Sequence, residues 1–203
     1  MARVRIERLS PDQTSAFRKT LLVNARALHA DATLLLDAGR NARSHSLALL
    51  GFEELAKMQP LWSLKLEPSE QSGTDWEYLR RLMINHPDKI AVALFTEHLL
   101  CSIFSVEHHQ DSIVKGVITL DDIANEAQRL NLLKLDGFYV GFDGSRFFAP
   151  EDVITGRMAA SAVGRLKSMV STFSAFDGLC SIPGTPTKEQ VLEAKHFAQK
   201  GQG

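Results

Sequence analysis

Two stretches of this 203-residue chain carry residue types that together could do acid–base or anion chemistry. The first is Glu53-Glu54-x-x-Lys57, inside an apolar run, and the second is Arg80-Arg81, Asn85-His86 and Lys89. Leu47, Leu50, Met58 and Leu61 fall on the same helical stripe as Glu54, in a helix expected over about 43–65, so Glu54 is expected to point inward. A buried ionised carboxylate costs several kcal/mol unless a cation or donors meet it, a large share of what holds a domain folded. Lys57, one turn on, is the expected partner, with Glu53 as a second carboxylate for the same ammonium. The plainer reading is a structural ion pair joining two helices, because such networks perturb charge without doing chemistry.

In the second stretch, Pro87 suits the first turn of a helix, which puts His86 at its N-terminal end. Unpaired backbone donors and the helix dipole favour an anion there. A phosphate fits that position, with Arg81 or Arg80 supplying charge-assisted bonds and His86 moving a proton near neutral pH. The plainer reading is a helix cap with two solvated arginines. A third pairing, Arg40 with His45, straddles the first helical hairpin.

Other chemistries lack their residues. A di-iron carboxylate bundle needs Glu-x-x-His on two helices, and this chain has Lys57 at the histidine's place. His108-His109 are adjacent and point about 100 degrees apart on a helix, so they do not share an ion. Glu97 and His98 offer at most an accidental site, and neither metal nor cofactor is expected. No glycine-rich phosphate loop follows a predicted strand, no Gly-x-Ser-x-Gly occurs, and Cys101 and Cys180 have no basic neighbour in sequence. A net charge of −1 excludes a general polyanion binder, so a nucleic-acid contact must come from a local basic cluster. The two cysteines read as free thiols of a reducing cytosol. No segment reads as a signal peptide or a membrane span, so the protein is expected to be cytoplasmic with no membrane partner.

Helix signals dominate the elements that must position these groups. Ser10, Pro11 and Gln13 open a long amphipathic helix through Phe17, Leu21, Ala25, Leu28, Ala32 and Leu35, which Gly39 stops. The next helix bends or ends near Pro60, and 67–74 has the composition of an exposed connection. A short segment over 76–84, a helix over 88–106 and one from Thr119 to about Leu135, capped with Asp122, follow. Phe138, Val140 and Phe142 alternate ahead of Asp143-Gly144 and Arg146-Phe147-Phe148, which predicts a small hairpin near 138–148. Helix returns over about 151–176, with Gly156 and Gly164 weakening its continuity. The expected division is a helical domain over 1–180, then a linker and a short C-terminal helix over 181–203, opened by Thr187 and Gln190.

Several of these blocks resemble one family. Asn24-Ala25-Arg26, Glu53-Glu54-Leu55-Ala56-Lys57, the His-x-x-Lys of His86 and Lys89, and Asn131, Lys134 and the GFYVGFDG stretch closed by Pro150 are similar, in order and spacing, to AbiV-type abortive-infection proteins, a branch of the HEPN domains. The resemblance implies an all-α, HEPN-like helical bundle with the hairpin as an insertion. It also implies a homodimer, RNA as substrate, a phage or neutralising protein as a further partner, and metal-independent cleavage by a signature of Arg, four to six residues, then His. Thirteen arginines and seven histidines in 203 residues predict about 1.3 chance matches to that signature. Three occur: Arg40 to His45, Arg80 to His86 and Arg81 to His86. Coincidence with the His-x-x-Lys block favours His86 as the acid–base group, with Arg81 and Lys89 stabilising charge on phosphorus and Arg40–His45 as the alternative catalytic pair. Glu53, Glu54, Lys57 and Asn24 then form the supporting polar network. A non-catalytic helical module that binds a protein or nucleotide is the alternative function.

Overall fold

The first two helices are set by their termini. In the computed structural model, which describes residues 9–66, 72–105 and 119–201, α1 (Pro11–Asp37) opens on a full capping box between Ser10 and Gln13. It ends on Gly39 at φ +71°, with Gly39 N–H donating to Leu36 and Arg40 N–H to Leu35, the paired bonds of a Schellman motif. The chain reverses there into α2 (Asn41–Ala56). Pro60 lacks an N–H and its ring excludes a normal bond to the Ala56 carbonyl, so the helix expected over 43–65 divides at Lys57 and restarts as α3 (Met58–Leu66). Then come α4 (Ser72–Ile84), α5 (His86–Phe104), capped by Asn85, and α6 (Leu120–Asp136), capped by Thr119 and Asp122. The connection anticipated over 67–74 falls partly, and His108-His109 wholly, outside the described residues.

A two-residue antiparallel pair, β1 (Gly141–Phe142) with β2 (Phe147–Phe148), forms the hairpin tip. α7 (Pro150–Val153) is a single turn, and α8 (Gly156–Ser181) starts afresh on the Thr155 side-chain cap. The interruption expected at Gly156 is thus a helix start, and Gly164 does not break α8. α9 (Lys188–Lys200) carries the Thr187–Gln190 capping box and packs on α8 and α5. The fold is an all-α bundle with a minimal hairpin. No helix among the described residues is long and apolar enough to cross a membrane.

α2 lies at the centre, packed by α1, α5, α6 and α8. Leu49, Phe52 and Leu55 are buried on it among Ile90, Ala93, Leu166, Met169 and Phe173, each large side chain contributing about 1.5–3 kcal/mol by leaving water. A buried polar knot ties the first helix to the last long one: Asp177 on α8 accepts from Arg18 Nε at 2.6 Å and from Trp62 Nε1 at 2.9 Å. Trp62 also packs edge-on to Phe176 at 4.8 Å.

Two close approaches set how α2 sits. A Cβ on Gly51 would fall 2.5 Å from Leu166 Cδ2 on α8, and one on Gly137 would fall 2.7 Å from the Ala42 carbonyl oxygen and 2.1 Å from Ser46 Oγ. Gly137→Ala is therefore expected to destabilise the protein by about 1–3 kcal/mol in urea unfolding. Gly178→Ala, in the interior of α8 with no atom within 4 Å of the added carbon, is expected to stabilise it by about 0.5–1 kcal/mol.

Candidate functional site

α2 presents two polar centres, eight residues and about 12 Å of helix apart. The first is Glu53, which is 2 % exposed. Its Oε2 lies 2.6 Å from His86 Nδ1 and 3.0 Å from Lys89 Nζ, both on the first turn of α5, and its Oε1 accepts from Lys134 Nζ on α6. Lys89 and Lys134 are buried, whereas the His86 ring is half exposed. Burial pushes the Glu53 carboxyl up, but the bonds from Lys134, Lys89 and His86 outweigh it and hold the group below its ordinary value. A carboxylate only accepts, so His86 Nδ1 carries the proton in this contact and Nε2 is the nitrogen left for other partners.

The inward carboxylate is thus Glu53 and not Glu54. Leu47, Leu50 and Glu54 form the stripe of α2 that is only partly buried, while Ser46, Leu49, Glu53 and Ala56 are enclosed. A helix packed on most of its circumference is apolar nearly all round, so periodicity gives little contrast with which to choose its inner face. Glu54 pairs with Lys57 at 2.5 Å, separately from Glu53. Asn24 is exposed on α1, next to Ala25 but off the buried face of Leu21, Leu22 and Ala25, and takes no part in the cluster. Arg81 is exposed near the end of α4, where it and Asp88 act on the Tyr78 hydroxyl, and it makes no ion pair with Glu53. Lys134 was the unanticipated member. The signal for it was a lysine on an apolar helical face, at four residues from Leu130 and seven from Ala127, both buried.

The second centre is a cleft of about 320 Å³ between α2, α6 and α8. His45 lies in its wall, 3 % exposed, and its Nδ1 is buried without a hydrogen-bond partner. Arg129, Arg157 and Arg165 line the same cleft with Glu126 and Ser161. Glu126 holds Arg129 through two bonds of 2.6 and 2.7 Å, and Glu97 on α5 holds the buried Arg165, whose guanidinium also lies 5.8 Å above the Phe52 ring. Each of these two guanidinium groups keeps N–H donors beyond those its carboxylate takes. Burial, and then the charge of Arg129, press the His45 imidazole down to about 4. Arg40, the other half of the Arg–His spacing, is exposed at the start of α2. The cleft arginines escaped the sequence reading because they come from helices more than 80 residues downstream, although Arg165, three residues from Ala162 and one from Leu166 on a buried face, marks a paired inward cation.

The described residues contain no group of three histidine, cysteine or acidic side chains placed to hold a metal. Glu97 is committed to Arg165, Cys101 is a buried thiol pushed up to about 12 by burial and Glu97, and Cys180 is half-buried and in no disulfide. In comparisons with known proteins, a family model described as AbiV, of HEPN type, matches residues 13–171. No curated protein and no solved structure gives a significant match.

A histidine whose folded value lies below its unfolded one makes the unfolded state bind more protons as pH falls. Stability is then lost between about pH 6.5 and 4 and is insensitive to this group above that window. The magnitude is on the order of 3 kcal/mol, from 1.36 kcal/mol per unit. Urea unfolding followed from pH 7 to pH 4 is expected to show this loss, and His45→Gln is expected to flatten that limb while leaving the loss at lower pH that comes from Glu53, whose carboxyl is held below its ordinary value.

Proposed function

Because the chain belongs to the AbiV family of HEPN domains, we propose that it is an abortive-infection protein that cleaves single-stranded RNA without a metal ion, its reaction centred on His45. The observation that carries this reading is the cleft itself: a neutral imidazole with an unpaired nitrogen beside three guanidinium groups. Phosphodiesters bind arginine through paired N–H donors. A phosphate entering the cleft also offsets the Arg129 repulsion, which raises the basicity of His45 only when substrate is bound. His45 then takes the proton of the ribose 2′-hydroxyl as that oxygen attacks phosphorus, the arginines stabilise the pentacoordinate oxyanion, and the 5′-oxygen leaves with a proton, giving a 2′,3′-cyclic phosphate and a 5′-hydroxyl. Arg40, at the exposed start of the same helix, is available to the flanking phosphates. A two-fold pair of chains would set two such clefts against one RNA and supply the local positive field that a near-neutral chain lacks.

A second reading places the reaction at His86, and the 2.6 Å contact with Glu53 favours it, because a carboxylate that fixes the imidazole tautomer is the usual support of a general base. The two readings separate cleanly. Cleavage of a single-stranded RNA is expected to persist in the presence of a chelator, to fall at least a hundredfold in His45→Ala and in the better-packed His45→Gln, and to fall less than tenfold in His86→Ala. Loss confined to His86→Ala would move the chemistry to the Glu53 cluster. Absence of cleavage by the folded wild-type chain would leave a non-catalytic helical module.

A further inference from the structure

The Glu53 cluster is unbalanced. Two ammonium groups, Lys89 and Lys134, each less than 5 % exposed, share one carboxylate, and the third group on that carboxylate is an imidazole. Among the described residues no other acidic side chain touches either lysine; the only further contact is a long one from Lys89 Nζ to the Met83 carbonyl at 3.5 Å. Glu54 does not help, since Lys57 neutralises it at 2.5 Å. Asp88, on the first turn of α5, is exposed and forms no ion pair with either lysine among the described residues. One positive charge is therefore left over in an enclosed cluster whose solvent-facing member is the half-exposed His86 ring, at the positive end of α5. Buried cations are found paired, and a structure that holds two of them against one anion has room in its charge balance for a second.

We propose that His86, Lys89 and Lys134 form a binding site for a phosphate-class dianion, separate from the His45 cleft. The remaining ammonium hydrogens of Lys89 donate to the anion, His86 takes up a second proton with it so that Nε2–H, on the nitrogen not engaged by Glu53, donates as well, and Lys134 supplies charge from behind Glu53. The inference goes beyond the nuclease reading and does not depend on it, because it concerns an unreactive ligand.

The test is titration of the full chain with inorganic phosphate against chloride at equal ionic strength. The His86 ring resonances are expected to move saturably and the thermal midpoint to rise with phosphate. Lys134→Met, which leaves one lysine for one carboxylate, is expected to weaken phosphate binding at least tenfold and to unfold at or above the wild-type temperature in phosphate-free buffer. His86→Gln, a change at an exposed position, is expected to weaken binding by a similar factor with the fold intact. Unmoved His86 resonances at tens of millimolar phosphate would overturn the proposal. So would a Lys134→Met chain that fails to fold or melts well below wild type, which would show that both lysines are needed simply as structural partners. A nucleoside monophosphate, and an oligonucleotide with and without a 5′-phosphate, separate the sources: equal binding of all phosphates marks a free-anion site, and tighter binding of the phosphorylated strand marks a nucleic-acid end.

Discussion

One enclosed carboxylate makes the polar part of this bundle possible. Glu53 sits on a helix surrounded on most sides, and it stays ionised because α5 and α6 each bring a lysine to it and α5 adds a histidine. Removing any one donor changes the electrostatics of the others, since the contacts share two oxygen atoms. The packing of α5 and α6 against α2 is thus fixed by charge as well as by Leu130, Ile90 and Phe52. This is a costly way to hold helices together, because apolar side chains of the same size often do as well or better.

The same central helix carries His45, in a setting of opposite character. His86 is held by a carboxylate and turned to solvent, whereas His45 is surrounded by cations and stripped of water. The first environment keeps a proton on a known nitrogen; the second favours the neutral ring. The two imidazoles thus stand in contrasting settings on different helices, His45 within α2 and His86 at the start of α5, and α2 contributes to both because it also carries Glu53.

Much of the architecture was legible in the sequence because it rests on local chemistry. Ser10-Pro11-Gln13, Gly39, Asn85-Pro87, Thr119-Asp122 and Thr187-Gln190 mark helix ends by side-chain caps or by a left-handed residue, and each acts within a few positions of itself. The hairpin was equally readable from Asp143-Gly144. The site was only half legible. Its residue types stood out, and His86, Lys89 and Glu53 do meet, but the choice between adjacent Glu53 and Glu54 depended on how α2 is rotated, and that is decided by four neighbouring helices. Spacing marks Lys134 and Arg165 as inward-facing on their own helices, but which groups they meet is set by contacts between residues some 80 to 120 positions apart, and on that the spacing is silent.

The buried knot of Arg18, Trp62 and Asp177 joins the beginning of the chain to its last long helix. Arg157 and Arg165, which complete the His45 cleft, lie on that same helix. During synthesis, therefore, the first two helices leave the ribosome with the imidazole in place but with one wall of its chamber still untranslated. The cleft thus has no α8 wall, and neither Arg157 nor Arg165 beside His45, until α8 has been made and packed against the first two helices.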